Sequence, residues 1–104
     1  MTARDSSALK SAPKVLDVLN VLMGHFAHGL TQVDLVKATG YPAPAISRYV
    51  AVLVDTGFAE RIPETGRIRP STRLAQHAVA ILNDLDRAKL RLDEVRSRIA
   101  TPVK

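Results

Sequence analysis

The spacing of apolar positions predicts most of the elements. From residue 13 on, Val15, Leu16, Val18, Leu19, Leu22 and Met23 form a face wide enough for burial on more than one side. Ser11 is placed to cap this helix, with Pro13 near its first turn. A connector runs through residues 24–29, with Phe26 as a candidate core plug. Thr31 followed by Asp34 is a capping signal, and Val33, Leu35, Val36 and Ala38 give a short helix that stops at Gly40. The spacing resumes with Ile46, Tyr49, Val50, Leu53 and Val54 and closes at Gly57; Pro44 marks this helix's start, since proline suits a first turn.

Residues 58–62 then alternate apolar and charged, as a half-exposed strand does. Pro63, Glu64, Thr65 and Gly66 are turn chemistry, and Arg67, Ile68 and Arg69 return as a second strand. Two short helices around a glycine turn, followed at once by a basic hairpin, describe a winged helix-turn-helix. The last third differs. Leu74, Ala78, Ile81, Leu85, Ala88, Leu92, Val95 and Ile99 alternate at spacings of four and three, which is a heptad seam. A helix over 72–99 is roughly 40 Å long and outruns the small domain it leaves. Ala75, Val79 and Leu82 widen its stripe, so the first half is expected to pack on the winged helix. Charges from Asp86 onward narrow it to a seam for a partner helix, with Leu85, Ala88, Leu92, Val95 and Ile99 as dimerisation residues. The alanines in the seam leave room for the first helix to share the interface. Parallel pairing sets Arg91 near the partner's Arg96, which disfavours it without fixing an orientation.

The expected architecture is therefore mostly α with a small β-hairpin. Residues 1–10 form a mobile arm carrying Arg4 and Lys10, 11–71 the winged helix-turn-helix, 72–100 a long amphipathic dimerisation helix, and 101–104 a tail.

The stretch 15–74 resembles the DNA-binding domain of IclR-type bacterial transcription regulators. The likeness is carried by Gly29-Leu30-Thr31, Gly40 with Pro42, Arg48, Leu53, Gly57-Phe58 and the Pro63-Glu64-Thr65-Gly66-Arg67 turn. It implies a winged helix that binds operator DNA as a dimer. No segment here has the size of the effector-binding domain such regulators usually carry, so ligand sensing is not transferred. Where relatives commonly have lysine, serine or threonine, the second helix begins with Ala43, Pro44 and Ala45.

Composition agrees with this picture. A chain of 104 residues with 46% hydrophobic content permits one modest core, and a formal net charge of +5 suits a polyanionic partner. With no cysteine there is neither a disulfide framework nor a thiolate metal site, which fits a reducing cytoplasm. No apolar run is long enough to span a membrane. His25, His28 and His77 have no ligand partners in spacing, and no nucleophile constellation or phosphate loop is present, so no metal, cofactor or enzymatic activity is expected.

The candidate DNA-binding residues are Thr31, Tyr41, Ala43, Ala45, Ser47, Arg48, Arg61, Arg67 and Arg69. Arg48 offers a planar fork to guanine or phosphate, or folds onto Asp55 or Asp17; the alanines offer methyl contacts. Arg67 and Arg69 share one side of their strand and are expected to reach one groove edge together. The function expected is a homodimeric, sequence-specific transcription regulator on an inverted-repeat operator. A winged-helix protein-interaction module and a non-selective DNA-coating protein are the alternatives, and a regulatory protein is a further candidate partner.

Overall fold

The computed structural model describes residues 6–103. Its elements are α1 (Ser6–Met23), α2 (Gln32–Thr39), α3 (Ala43–Asp55), β1 (Ala59–Arg61), β2 (Ile68–Pro70) and α4 (Thr72–Ala100). The architecture is mostly helical with one antiparallel hairpin, a winged helix-turn-helix with a long C-terminal helix. The chain divides into two compact units, one up to Leu74 and one from Ala75 onward.

In the first unit, three helices converge on one core. Val18 and Leu22 from α1, Leu35 from α2 and Ile46 and Val50 from α3 are fully buried, and Ile68 closes the core from the hairpin. The α2 boundaries follow from capping chemistry. Thr31 accepts the Asp34 N–H at 3.1 Å while Asp34 accepts the Thr31 N–H at 3.0 Å, satisfying two amides that the helix leaves unpaired. At the other end Gly40 takes the left-handed conformation, φ 76°, and its N–H returns to the Val36 carbonyl. Pro44 lies in the first turn of α3, where its missing N–H costs nothing.

The hairpin pairs Ala59 with Pro70, Glu60 with Arg69 and Arg61 with Ile68. Leu30 adds an antiparallel bridge to Ile68, with N–H to carbonyl bonds of 2.8 Å in both directions. This bridge ties the start of the helix-turn-helix to the inner strand of the wing. Gly29 makes it possible: at φ 69°, a Cβ there would stand 2.6 Å from the Ile68 carbonyl oxygen.

Some expectations are corrected. The first helix starts at Ser6 and not at Ser11, so residues 6–10 are helical and Pro13 lies inside the helix. Serines, alanines, a leucine and a lysine precede Pro13; the fixed φ of proline is already helical, and only one backbone hydrogen bond is forgone. The remainder of the expected arm, residues 1–5 with Arg4, lies outside the described residues. Phe26 does not plug the core; it is 38% exposed and lies under the Arg69 guanidinium, 5.1 Å from carbon to ring centroid. Leu74 packs against the core and Ala75 is half-buried, but Val79 and Leu82 are exposed. No residue of α4 is fully buried, and its stripe of Ile81, Leu85, Leu92, Val95 and Ile99 faces solvent.

Candidate nucleic-acid interface

The outward edge of α3 is set by what its inner edge must bury. Ala45, Ile46, Tyr49, Val50 and Leu53 are buried. Ala43, Pro44, Ser47, Arg48 and Ala51 are exposed on the remaining surface. Ala45 is a correction. At 7% exposure it belongs to the core, because it lies one turn before Tyr49 on the same face. Ala43 and Ala51 are accessible, as expected.

Arg48 is exposed, and among the described residues it makes no ion pair or side-chain hydrogen bond. Neither carboxylate considered for it holds it. Asp17 instead accepts the Tyr41 hydroxyl at 2.6 Å. That bond holds the phenol above its usual pKa, since ionisation would set a phenolate against the carboxylate. The Tyr41 ring stands edge-on to Tyr49 at 5.9 Å, and Lys14 lies 5.7 Å from its centroid. Tyr41 is thus a bracket between α1 and the start of α3, with its hydroxyl proton committed.

Ser47 donates to Gln32 Oε1 at 3.2 Å, across the turn between α2 and α3. Gln32, the first residue of α2, is a polar group on this edge that the apolar spacing does not single out. Its position directly after the Thr31 cap is the signal that points to it. Thr31 itself accepts from Asp34, which leaves its hydroxyl proton free to donate. The paired bonds also hold the Asp34 carboxyl below its usual range, first through the Thr31 N–H, with the positive charge of Arg67 adding to the effect.

On the wing the three arginines separate. Arg61 is exposed, and its Nη1 donates to the Gly66 carbonyl at 3.3 Å, bracing the tip. Arg67 is exposed just before β2, and its guanidinium makes no hydrogen bond or ion pair among the described residues. Arg69 is turned inward: its Nη2 and Nε meet Glu60 Oε2 at 2.8 and 3.0 Å, and its guanidinium covers Phe26. The expectation that Arg67 and Arg69 reach one groove edge together is therefore corrected. Cross-strand register places Arg69 directly opposite Glu60, and a charge-assisted fork is the stronger local partner.

Glu60 is also a junction. Its Oε1 accepts the Thr72 N–H at 2.9 Å at the start of α4, and this bond is the main reason its carboxyl is held below its usual range. Ser71, buried beside it, donates to the Gly57 carbonyl at 2.7 Å and accepts the Leu74 N–H at 3.0 Å. The wing and the first turn of α4 are thereby one bonded unit.

Comparison with known proteins decides what this arrangement belongs to. A model of the MarR family matches residues 12–68, more than half of the chain. The chain belongs to the MarR family. No curated protein matches it. Among solved structures, Pseudomonas aeruginosa HmgR is similar, with a TM-score of 0.62 and 25% identity over 85% of this chain. This chain spans 37% of that one.

The MarR-family assignment gives the winged helix-turn-helix a DNA-binding, transcription-regulating context. The likeness to IclR-type regulators read from the motifs reaches the same fold, but the family model that matches is that of MarR. The matched residues take in α1 from residue 12 onward, α2, α3 and β1 and reach Ile68, so the exposed edge of α3 and Arg67 fall inside the MarR-family region. Among the described residues, no group of three or more histidine, aspartate or glutamate side chains is placed to hold a metal ion. No helix among them is long and apolar enough to cross a membrane.

Proposed function

We propose that this MarR-family chain is a sequence-specific transcription regulator that acts as a homodimer on an inverted-repeat operator. The observation that carries the reading is the free guanidinium of Arg48 on the outward edge of α3, with a second free guanidinium, that of Arg67, on the wing. An exposed arginine with no partner of its own is available for an external acceptor, and duplex DNA offers guanine edges and phosphates. In this reading α3 enters the major groove and Arg48 reads a base. Ser47 and Gln32 present hydrogen-bonding groups at the groove edge, and Ala43 and Ala51 permit close approach. Thr31, Arg61 and Arg67 contact the backbone.

Ala45, Tyr41 and Arg69 support this surface without touching the duplex. The homodimer is supported by the exposed seam of α4. A groove of about 500 Å³ along α1 and α3, where Leu16, Val52 and Phe58 are exposed, fits a share of the interface for α1. The reading places the protein in the cytoplasm with double-stranded DNA as its partner and no cofactor. A regulatory protein or the chain's own abundance would set its occupancy.

Selection of bound fragments from random duplexes, followed by titration of the enriched site and a scrambled one at two salt concentrations, tests the proposal. Sequence-selective binding that weakens steeply with salt is expected. Salt-sensitive binding blind to sequence would instead indicate DNA coating. Binding to no duplex would leave the alanine-rich α3 edge as a protein-docking surface.

A further inference from the structure

The seam of α4 carries more information than its apolarity. From Ala78 to Val95 its positions are large and small in an uneven order: Ala78, Ile81, Leu85, Ala88, Leu92, Val95. In a parallel pair each residue meets its own copy, so Ala78 faces Ala78 and Ala88 faces Ala88, leaving thin layers between thick ones. In an antiparallel pair centred between Asp86 and Arg87 the layers become Ala78 with Val95, Ile81 with Leu92 and Leu85 with Ala88, each occurring twice. Every alanine then meets a larger side chain, and no layer is empty.

The flanking charges make the same choice independently. In the antiparallel register Asp84 faces the partner's Arg91 on both sides of the symmetry axis, and Lys89 lies along the partner's Leu82, where its methylene stem covers the seam. Parallel pairing also gains an attraction, Asp84 with the partner's Lys89, but sets Arg91 against the partner's Arg96. Sliding the antiparallel pair one heptad either way brings Asp84 onto Asp84 or Arg91 onto Arg91. Asp84 is open to a partner: its one ion pair among the described residues is a 3.6 Å contact to Arg87 of its own helix, with both side chains more than 60% exposed.

We infer that α4 docks a second copy of itself antiparallel, in the register that pairs Leu85 with Ala88 and Asp84 with Arg91 of the partner. This rests on the homodimer reading above and adds the orientation. It also has a metric consequence. The two Ala75 residues, where the rods leave their winged helices, lie 23 residues apart along the axis, or about 34 Å at 1.5 Å per residue. Parallel rods would set the same residues at only the interaxial distance, about 8–10 Å.

The chain has no cysteine, so single substitutions give unique labelling sites in the full-length protein. Gln76→Cys and Arg87→Cys both lie off the seam. With spin labels at each, dipolar spectroscopy should give a separation within about 20 Å at residue 87 and of about 30 Å or more at residue 76. Short distances at both would overturn the orientation while leaving the dimer intact. A monomer by sedimentation, with no dipolar signal at either site, would defeat the homodimer reading itself and this inference with it. A dimer with residue 87 far from its copy would place the interface on another surface. Charge reversal gives a second, opposite-signed test. Arg91→Asp should weaken dimerisation roughly tenfold, with Asp84→Arg restoring it; in a parallel pair Arg91→Asp would tighten the dimer by relieving Arg96.

Discussion

Replacing each wing arginine by methionine should separate a structural cation from a DNA-contacting one. Arg69 spends its charge inside the molecule, on Glu60 at 2.8 and 3.0 Å and over the Phe26 ring, with 23% of its side chain exposed. An ion pair this close to solvent contributes about 0.5–1 kcal/mol, and the cation–π contact about the same. Arg69→Met should therefore cost about 1–2 kcal/mol, a fall in melting temperature of roughly 4–16 °C for a domain of this size. Thermal unfolding followed by circular dichroism reads that destabilisation. Glu60→Gln combined with Arg69→Met should cost less than the two changes summed, because they remove one shared interaction. On DNA the same substitution should leave the dependence of binding on salt unchanged once the protein is kept well below its melting point. Arg67→Met should do the reverse: little change in melting, since only its weak attraction for the Asp34 carboxylate is lost, and a salt slope shallower by about 0.9 for each phosphate that is no longer neutralised. If Arg69→Met flattens the salt dependence while Arg67→Met does not, the division of labour on the wing is wrong.

Arg48→Ala should cost roughly 1–3 kcal/mol on the selected site and relax preference at one base position, measured by competition against duplexes changed at single pairs. An equal weakening on every duplex would make Arg48 a phosphate contact instead. Two left-handed glycines should respond differently to alanine, read as denaturant midpoints. Gly40→Ala has nothing within 4 Å of the new Cβ and should cost about 1–2 kcal/mol of backbone strain. Gly29→Ala drives a methyl to 2.6 Å from the Ile68 carbonyl oxygen and should cost about 2–4 kcal/mol through the Leu30–Ile68 bridge. Acid should destabilise the winged helix through Asp34 and Glu60. Both are held below their ordinary values of 3.8 and 4.5, so their contribution is complete above about pH 4.5 and is lost as pH falls through the lower folded values. Glu60→Gln should flatten the stability profile in that window, as followed by chemical unfolding between pH 5 and pH 2.

What could be read from the sequence was whatever local chemistry decides. The Thr31 and Asp34 box, the Gly40 stop and the Pro44 start each depend on residues within one turn, and each is where the spacing put it. The hairpin was legible because its four-residue turn separates two short alternating runs. The fate of Arg69 was not, since it depends on Glu60 across the hairpin and on Phe26 far upstream, a ring whose apolarity suggested the core. Ala45 was a different failure. It, Tyr49 and Leu53 are four apart and share a face, so the information was present, but alanine is small enough to be read as surface. Val79 and Leu82 misled for the opposite reason. They are large enough to demand cover, yet both are exposed.

The poverty of the recognition edge and the richness of the rod explain each other. Withdrawing Arg69 and Tyr41 into the fold leaves each winged helix with one free guanidinium on α3, Arg61 and Arg67 on the wing, and small apolar groups between them. A single module with so few contacts buries only about 600–1,000 Å² on DNA and binds weakly. Joining two copies makes the second contact intramolecular, which raises the overall affinity by about 10²–10⁴ without a new side chain at the groove. An exposed stripe such as Ile81, Leu85, Leu92 and Val95 would be an aggregation hazard on a monomer. On a dimer it supplies the one term that the bare α3 edge lacks. In the proposed dimer selectivity would follow from half-site spacing as well as from base contacts, because two weak readers joined together would favour duplexes that let both engage at once.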